Sequence, residues 1–516
     1  MLPVAVRPYG PFHELALQVH ELTVQGRNSQ ALALADRVEA IAGLLGAERT
    51  AGMALQGRMY ALISLGRLQE ALATGERLLQ WHRATGVRGG EARALADIAE
   101  TLIKSGRLDE GLHRLANALR VLDRLPVGNP RYIAALSSIS EAARAAELYE
   151  LADSSAAYAM EAFDLDPAQH VSAELQRAEQ LLEWGLRLEH VGLVEEAGGK
   201  FAKAAGLVRP WVEAEFADAP LANALHALAL VTTGDVDGAR RLAAGLIMSL
   251  RTGGHEHEAR LAHLAHGIAL RHHGDLPGAR REFLAAAELA PLSSQRLIFQ
   301  YELARLAAVA QPGEAATALL GAVQAQARHL WQLRQERRTM LQQARRRVEL
   351  EAARERADRA AAQDALTGLG NRRQFDRHLD LVAEAGPGVL LLVDVDHFKH
   401  INDRYSHGTG DRVLRELAAV LRAHCRPDDV PVRLGGDEFA LFLRCDLATA
   451  ARVGARIRDV IAARDWNEVA LGLRVTLSMG VAARTAGMTG RDLYDLADRH
   501  LYAAKRAGRD RVAAAA

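Results

Sequence analysis

The sequence predicts a multidomain protein: an all-α repeat solenoid, then one long connector helix, then a C-terminal α/β domain. Three observations carry this reading. Gly-centred segments recur at intervals of 40 to 46 residues over the first three-fifths of the chain. A stretch rich in helix formers, with neither Gly nor Pro, follows from about Val323 to Ala362. Beyond Asp364 the pattern changes to short apolar runs separated by turn residues and helical segments.

Composition bounds the function before any motif is read. A chain of 516 residues suggests about two to four domains. Lys+Arg and Asp+Glu are equal at 64 each, so bulk charge does not point to nucleic acid or an anionic membrane as partner. The two cysteines, Cys425 and Cys445, exclude a disulfide scaffold, fit a reducing compartment, and read as small buried hydrophobes. The start "MLPVAVRPYG" lacks the charged and apolar regions of a signal peptide. The apolar run "GVLLLVDV" is far short of the roughly 20 residues of a membrane span. A cytoplasmic location is expected.

The repeat reads as follows. "GRLQEAL" begins at Gly66, "GRLDEGL" at Gly106, "GLVEEAG" at Gly192, "GDVDGAR" at Gly234 and "GDLPGAR" at Gly274, with a weaker copy, "AELYELA", at Ala146. Each unit has an Ala/Leu-rich helix, a turn at the Gly, and a second helix with a small residue placed for close helix approach. Over residues 10–320 this resembles the tetratricopeptide family, with units longer than the usual length of about 34 residues. The resemblance implies stacked helix pairs with a concave face, and a protein or peptide ligand for a domain spanning 1–322. Within it, "HEHEARLAHLAH" at 255–266 brings His255, His257, His263 and His266 onto one or two helix turns. The spacing matches no defined ligand set and no Cys is near, so a solvated helix surface is expected there.

The connector is placed at 323–363. Leu330, Met340 or Leu341, Ala344, Val348 and Ala352 form an imperfect apolar stripe near a 3.5-residue period, compatible with a parallel coiled coil or with a lone helix. A rigid helix before a catalytic domain is suited to transmitting orientation.

The last domain, 364–516, opens with "DALTGLGNRRQF". In "GVLLLVDVDHFKHIND", Val389–Val393 is a continuous apolar run, as expected of a central strand covered on both faces, and Asp394 and Asp396 bracket its carboxyl end. In "RLGGDEFALFL", apolar residues on either side of Gly435-Gly436 read as two strands of a hairpin. Strands are expected near 389–395, 431–434, 438–444 and 473–479. Asp437 and Glu438 then belong either to a solvated turn or to a rigid mount for two carboxylates at a metal ion, which favours hard oxygen ligands.

"DALTGLGNRRQF", "DVDHFKHIND", "HGTGDRVL", "RLGGDEF", "SMGVA" and "ADRHLYAAKRAGRDRV" occur in this order over residues 364–512. Together they resemble the GGDEF family of diguanylate cyclases, and chance agreement across six spaced motifs is negligible. The resemblance implies a mixed sheet flanked by helices, like the palm of nucleotidyl cyclases, and condensation of two GTP into cyclic di-GMP with release of two pyrophosphates. It implies Mg²⁺, with Mn²⁺ as substitute, on Asp394, the carbonyl of Val395 and Asp437, with Glu438 as ligand or general base. Gly435 and Gly436 would let the nucleotide lie over the hairpin. Asn402 and Asp411 match guanine-binding positions, His407 lies near substrate, and Lys399, Lys505 and Arg509 match cations that hold the triphosphate. Two departures, His397 after the second Asp and Asp510 in place of the usual Asn, remove none of these contacts.

Arg426 and Asp429 in "RPDD" stand at the offset of the family's inhibitory product site, with Arg456 as a supporting arginine; a plain turn is the simpler alternative. The full reading is an active cyclase regulated by its repeats and by product, working as a homodimer because its product joins two GTP molecules. A catalytically silent cyclic di-GMP receptor is less expected, since such receptors usually have a damaged signature. A scaffold whose main role is protein binding is the third reading.

Overall fold

The computed structural model describes residues 12–24, 26–126, 130–162, 167–212, 219–290, 293–382, 388–485 and 487–514. The N-terminal stretch read above for a signal peptide lies outside them. Two compact units emerge, Met1–Leu350 and Glu351–Ala516.

Among the described residues the first unit is built of helices and turns. Its repeats are pairs of helices of similar length, as in Glu48–Ser64 and Leu68–Ala84, then Arg88–Lys104 and Leu108–Leu122. The turn chemistry is uniform. Gly66 takes φ 72°, its N–H donates to Ile63 O at 3.1 Å, and the Arg67 N–H donates to Leu62 O at 2.9 Å. This left-handed cap satisfies the last carbonyls of one helix and starts the next, and it favours Gly because a Cβ is costly at positive φ. Gly26, Gly46, Gly86, Gly106, Gly192, Gly234, Gly254 and Gly274 also take positive φ. At the weak sixth copy Glu147 adopts φ 56° instead, and the Leu148 N–H donates to Ala143 O at 2.8 Å. The small residues that follow these turns (Ala71, Ala152, Ala197, Ala239 and Ala279) are all buried at helix–helix contacts.

The long helix runs Glu314–Ala361 and begins nine residues before the expected Val323. Its apolar stripe is already covered within the first unit. Leu341 and Val348 are buried in a core with Leu112, Leu115 and Ile139, while Met340 and Ala344 pack against it. Arg334 holds Glu150 at 2.8 Å, and Arg337 binds Glu147 and donates to Ala146 O at 3.2 Å.

The histidine cluster is not the solvated helix surface expected of it. His263 is buried rather than solvated, and its Nδ1 pairs with Glu282 at 2.6 Å, with His266 at 3.4 Å from the same carboxylate. His257 meets Glu179 at 3.2 Å. The acids come from other helices, which spacing along one helix does not reveal. Among the described residues no group of side chains is arranged to hold a metal ion, and no helix is long and apolar enough to cross a membrane.

The second unit is built on a five-stranded mixed sheet ordered β2-β3-β1-β4-β5, with β1 Val389–Val395, β2 Val430–Gly435, β3 Glu438–Leu443, β4 Leu477–Ala483 and β5 Arg511–Ala514. All pairings are antiparallel except β4–β5. Strand β1 is buried at every residue because both faces are covered. Leu391 and Val393 face a core with Leu414, Leu417 and Ile457, whereas Leu390 and Leu392 face Phe375, Ala497 and Leu501.

Strand β4 falls four residues later than the 473–479 read from the pattern. Leu473 and Val475 continue the buried alternation, but pairing with β1 begins only at Val395↔Leu477, where β1 ends. Strand β5 was not anticipated: four residues with no fully buried position carry no periodic signal.

Candidate active site

The carboxyl end of β1 and the turn between β2 and β3 build one site. Register places Asp394 directly opposite Glu438, and the Val395 N–H donates to Asp437 O at 3.3 Å. Opposed residues of an antiparallel pair have Cβ atoms about 5 Å apart, so sheet pairing alone puts two carboxylates side by side. Gly435 and Gly436, at φ 152° and 54°, turn the chain between the strands. Asp437 is half-buried and Glu438 exposed.

Asp394 is 7% exposed and its Oδ2 meets Lys505 Nζ at 2.6 Å. Lys505 stands in the last turn of helix Gly490–Arg506, which packs on the face of the sheet that carries Leu390 and Leu392. Burial pushes the Asp394 carboxyl above its ordinary value; Lys505 opposes this, and the Asp437 and Glu438 carboxylates add to it. Three acids gathered at one strand end and its neighbouring turn offer the oxygen donors a hard cation prefers. The side chains are not drawn into a closed ligand cage: Asp394 is turned to Lys505. The donor chemistry nonetheless fits a divalent ion bound by oxygen.

Asp396 has a different task from Asp394. Its Oδ1 accepts from Ser478 Oγ at 2.6 Å, and its Oδ2 accepts from Thr476 Oγ1 at 2.7 Å and the Asp510 N–H at 3.1 Å. With both oxygens engaged and the side chain 4% exposed, it ties the end of β1 to the start of β4 and to the turn before β5. The departure at Asp510 sits at this turn, with Arg458 Nε 4.0 Å from its carboxylate. Arg509, at φ 63°, occupies the same turn.

Sequence reasoning missed Arg433 as a site residue. Its Nε and Nη2 donate to Gly436 O at 3.0 and 2.8 Å, while Nη1 holds the Asp364 carboxylate at 3.1 and 3.2 Å. Asp364 in turn accepts from the Thr367 N–H at 2.9 Å and Oγ1 at 2.7 Å. Although burial pushes the Asp364 carboxyl up, Thr367 and Arg433 hold it below its ordinary value. The first motif of the domain is therefore clamped to the glycine turn. The signal was present as an Arg before the glycines and an Asp at the domain's opening, but nothing local pairs them.

Asn402 stands in helix Phe398–Tyr405 and Asp411 near the start of helix His407–His424. A Cβ on Gly410 would lie 2.0 Å from Asn402 Oδ1, so the missing side chain leaves room for the amide against Gly410, the residue before Asp411. His397 enters the first helix at φ 56°, and Ser406, which caps the second, takes φ 128°. Lys399 and His407 are exposed.

Arg426 and Asp429 lie at the other end of the β2–β3 hairpin, about 17–20 Å along the strands from the glycine turn. Asp429 accepts from the Arg426 N–H at 2.8 Å and the Arg444 N–H at 3.0 Å, so both its oxygens staple backbone; the Arg426 side chain is exposed. Cys425, beside this turn, is half-buried, and burial pushes its thiol up to about 12.

The second unit is similar in sequence to known proteins. Residues 361–511 match the family described as diguanylate cyclase, GGDEF domain. Diguanylate cyclase DgcP of Pseudomonas aeruginosa is 38% identical over 158 residues, covering 30% of this chain and 24% of that protein. Diguanylate cyclase DgcM of Escherichia coli is 42% identical over 162 residues, covering 30% of this chain and 39% of that protein. The chain thus spans about a quarter to two-fifths of the length of these relatives. Among solved structures, the coiled coil and GGDEF domain of DgcB from Caulobacter crescentus, in complex with c-di-GMP, is 35% identical with TM-score 0.32, covering 34% of this chain and 98% of that one. By its motifs and its match to the family, the segment 361–511 of this chain is a GGDEF domain.

Proposed function

We propose that the protein is a diguanylate cyclase that condenses two GTP into cyclic di-GMP and two pyrophosphates. The observation that carries this reading is the register of β1 against β3, which sets Asp394 opposite Glu438 with Asp437 on the adjoining turn. In each of two steps a ribose 3′-oxygen forms a bond to the α-phosphorus of the other nucleotide. The bond to the bridging oxygen breaks, pyrophosphate leaves, and the hydroxyl proton is released. Such transfers are accelerated mainly by positioning and charge neutralisation.

Asp394, the Val395 carbonyl, Asp437 and Glu438 are the residues that would hold Mg²⁺, or Mn²⁺ in its place. When bound, the ion stabilises charge on the attacking and leaving oxygens. Lys505 leaves Asp394 for the triphosphate when nucleotide arrives, joined by Lys399 and Arg509. Glu438, the exposed member of the carboxylate set, is placed to accept the 3′-hydroxyl proton. Asp411 accepts from guanine N1–H and the amino group, which adenine does not offer in that pattern, and Asn402 adds a second contact. His407 lies beside the substrate, and the bare backbone of Gly435 and Gly436 admits it.

Three further elements belong to this reading. The division into a regulatory array at 1–322, a connector at 323–363 and a cyclase domain at 364–516 follows the change in sequence pattern. The array is a tetratricopeptide-like sensor. Cyclic di-GMP binds back at Arg426 and Asp429, where an exposed guanidinium stands beside a rigid turn. Because the product contains two nucleotides and each domain binds one, two copies face each other as a homodimer.

The test is turnover with GTP and Mg²⁺, followed by pyrophosphate release and chromatography of the dinucleotide. Asp437→Ala and Glu438→Ala are each expected to abolish synthesis while the circular dichroism spectrum is kept. Near-normal turnover in either variant refutes the assignment.

A further inference from the structure

We infer that the helical array forms a binding site for a small monocarboxylate with an apolar body, of which a medium-chain acyl carboxylate is the simplest example. A cavity of about 540 Å³ lies within the first unit. That is in the range of about 300–1,000 Å³ usual for small-molecule sites. Helices Pro130–Ala145, Pro167–His190 and Glu256–His272 contribute to its wall, and the first part of the long helix contributes Gln326, Leu330 and Arg337. Most of the wall is apolar, with Leu182, Leu186, Leu228, Leu264 and Phe299 all lining the space.

The charges on the wall are almost fully paired, and the exception points to the ligand. Arg144 is held by Glu141 at 2.7 Å, Glu179 at 3.1 Å and Glu183 at 3.2 Å. Arg187 and Arg337 share Glu147, the former at 2.6 Å. Lys104 pairs with Glu100. Arg260 is different. It lines the cavity and is 9% exposed, yet its hydrogen bond goes to a ring nitrogen, His257 Nδ1, at 2.7 Å and not to a carboxylate. His257 in turn presents Nε2 to Glu179 at 3.2 Å, so the ring stands between the guanidinium and that acid. Among the described residues no carboxylate forms an ion pair with Arg260. Burial consequently pushes its guanidinium below its ordinary value, with Glu179 and Glu183 opposing.

A buried guanidinium with acids nearby but no carboxylate in direct contact leaves its fork open, and a carboxylate on that fork adds charge-assisted hydrogen bonds. The flanking Glu179 and Glu183 disfavour a second negative charge on the ligand, which selects a monoanion over a phosphate. The apolar wall takes the rest of the molecule. Because Leu330 and Arg337 belong to the long helix, an occupant bridges the array and that helix.

The test uses the full-length chain with octanoate, 1-octanol and octylammonium as probes, read by isothermal titration calorimetry and thermal unfolding. Octanoate is expected to bind saturably and raise the unfolding temperature, and the two other probes to bind at least about tenfold more weakly, since a hydrogen bond to a charged group is lost. Arg260→Met is expected to weaken octanoate by a similar factor, and Leu264→Trp to abolish binding by filling the space. No binding of octanoate, equal binding of 1-octanol, or undiminished binding in Arg260→Met overturns the proposal. Should Arg260→Met fail to fold, the probe comparison on the unsubstituted protein and Leu264→Trp decide it. None of these readouts depends on cyclase activity.

Discussion

Arg433→Met tests whether the glycine turn owes its position to the clamp beneath it. The substitution keeps most of the side chain's bulk and removes every donor. Four contacts go: two to Gly436 O at 3.0 and 2.8 Å, and two to Asp364 at 3.1 and 3.2 Å. The Arg433 and Asp364 side chains are 13% and 22% exposed, so solvent screens the pair only partly. Hydrogen bonds to charged groups contribute about 1.5–3 kcal/mol each. Asp364 keeps its two bonds from Thr367, so the expected loss of stability is about 2–4 kcal/mol rather than the sum over all contacts. The effect on catalysis is larger in proportion. Asp437 follows Gly436 directly, and displacing a reacting group by about 1 Å costs on the order of 100-fold in rate. Initial rates of pyrophosphate release should therefore fall by about two orders of magnitude, while urea unfolding reports the stability change. Asp364→Asn leaves the bonds to Gly436 in place and should cost stability with less than about a tenfold loss of rate. If Arg433→Met keeps half or more of the unsubstituted rate, the turn is held by the sheet alone and the clamp argument fails.

Three more expectations can be checked. Asp97 is 1% exposed and accepts from Gln56 Nε2 at 2.7 Å; burial pushes its carboxyl up from 3.8 to about 6. Its folded value lies above its unfolded one, so the native state loses stability as pH rises from 3.8 through about 6, by up to ~3 kcal/mol. Asp97→Asn should unfold at higher temperature than the unsubstituted protein above pH 6, with the gap closing as pH falls towards 3.8; a gap independent of pH contradicts this. Arg426→Ala should relieve inhibition by added cyclic di-GMP with little change in initial rate, and equal inhibition of both proteins removes the product site from this turn. The fragment 364–516 should be mostly monomeric, with specific activity that climbs with its concentration. Full-length protein should lack that dependence at micromolar concentration, where about −8 kcal/mol of association suffices; light scattering that finds it monomeric sinks the upstream dimer.

Local chemistry made much of this molecule legible in its sequence. The helix pairs of the array show because a left-handed glycine cap and a buried small residue are each set by neighbours a few positions away. The burial of β1 shows in the unbroken run Val389–Val393, and the hairpin in two glycines between apolar strands. Even the order of the six motifs survives as text. Partnership across the fold does not. That Asp394 answers to Lys505 and faces Glu438, that Asp396 is spent on Ser478 and Thr476, and that Arg433 reaches back to Asp364 are matters of register and docking. The same holds for His263 on Glu282, and for the stripe through Leu341 and Val348 that the array covers. A residue's own neighbourhood in the chain determines which face it takes. Which distant residue waits on the other side is decided only when sheets pair and helices pack, because those contacts join segments with no shared local pattern.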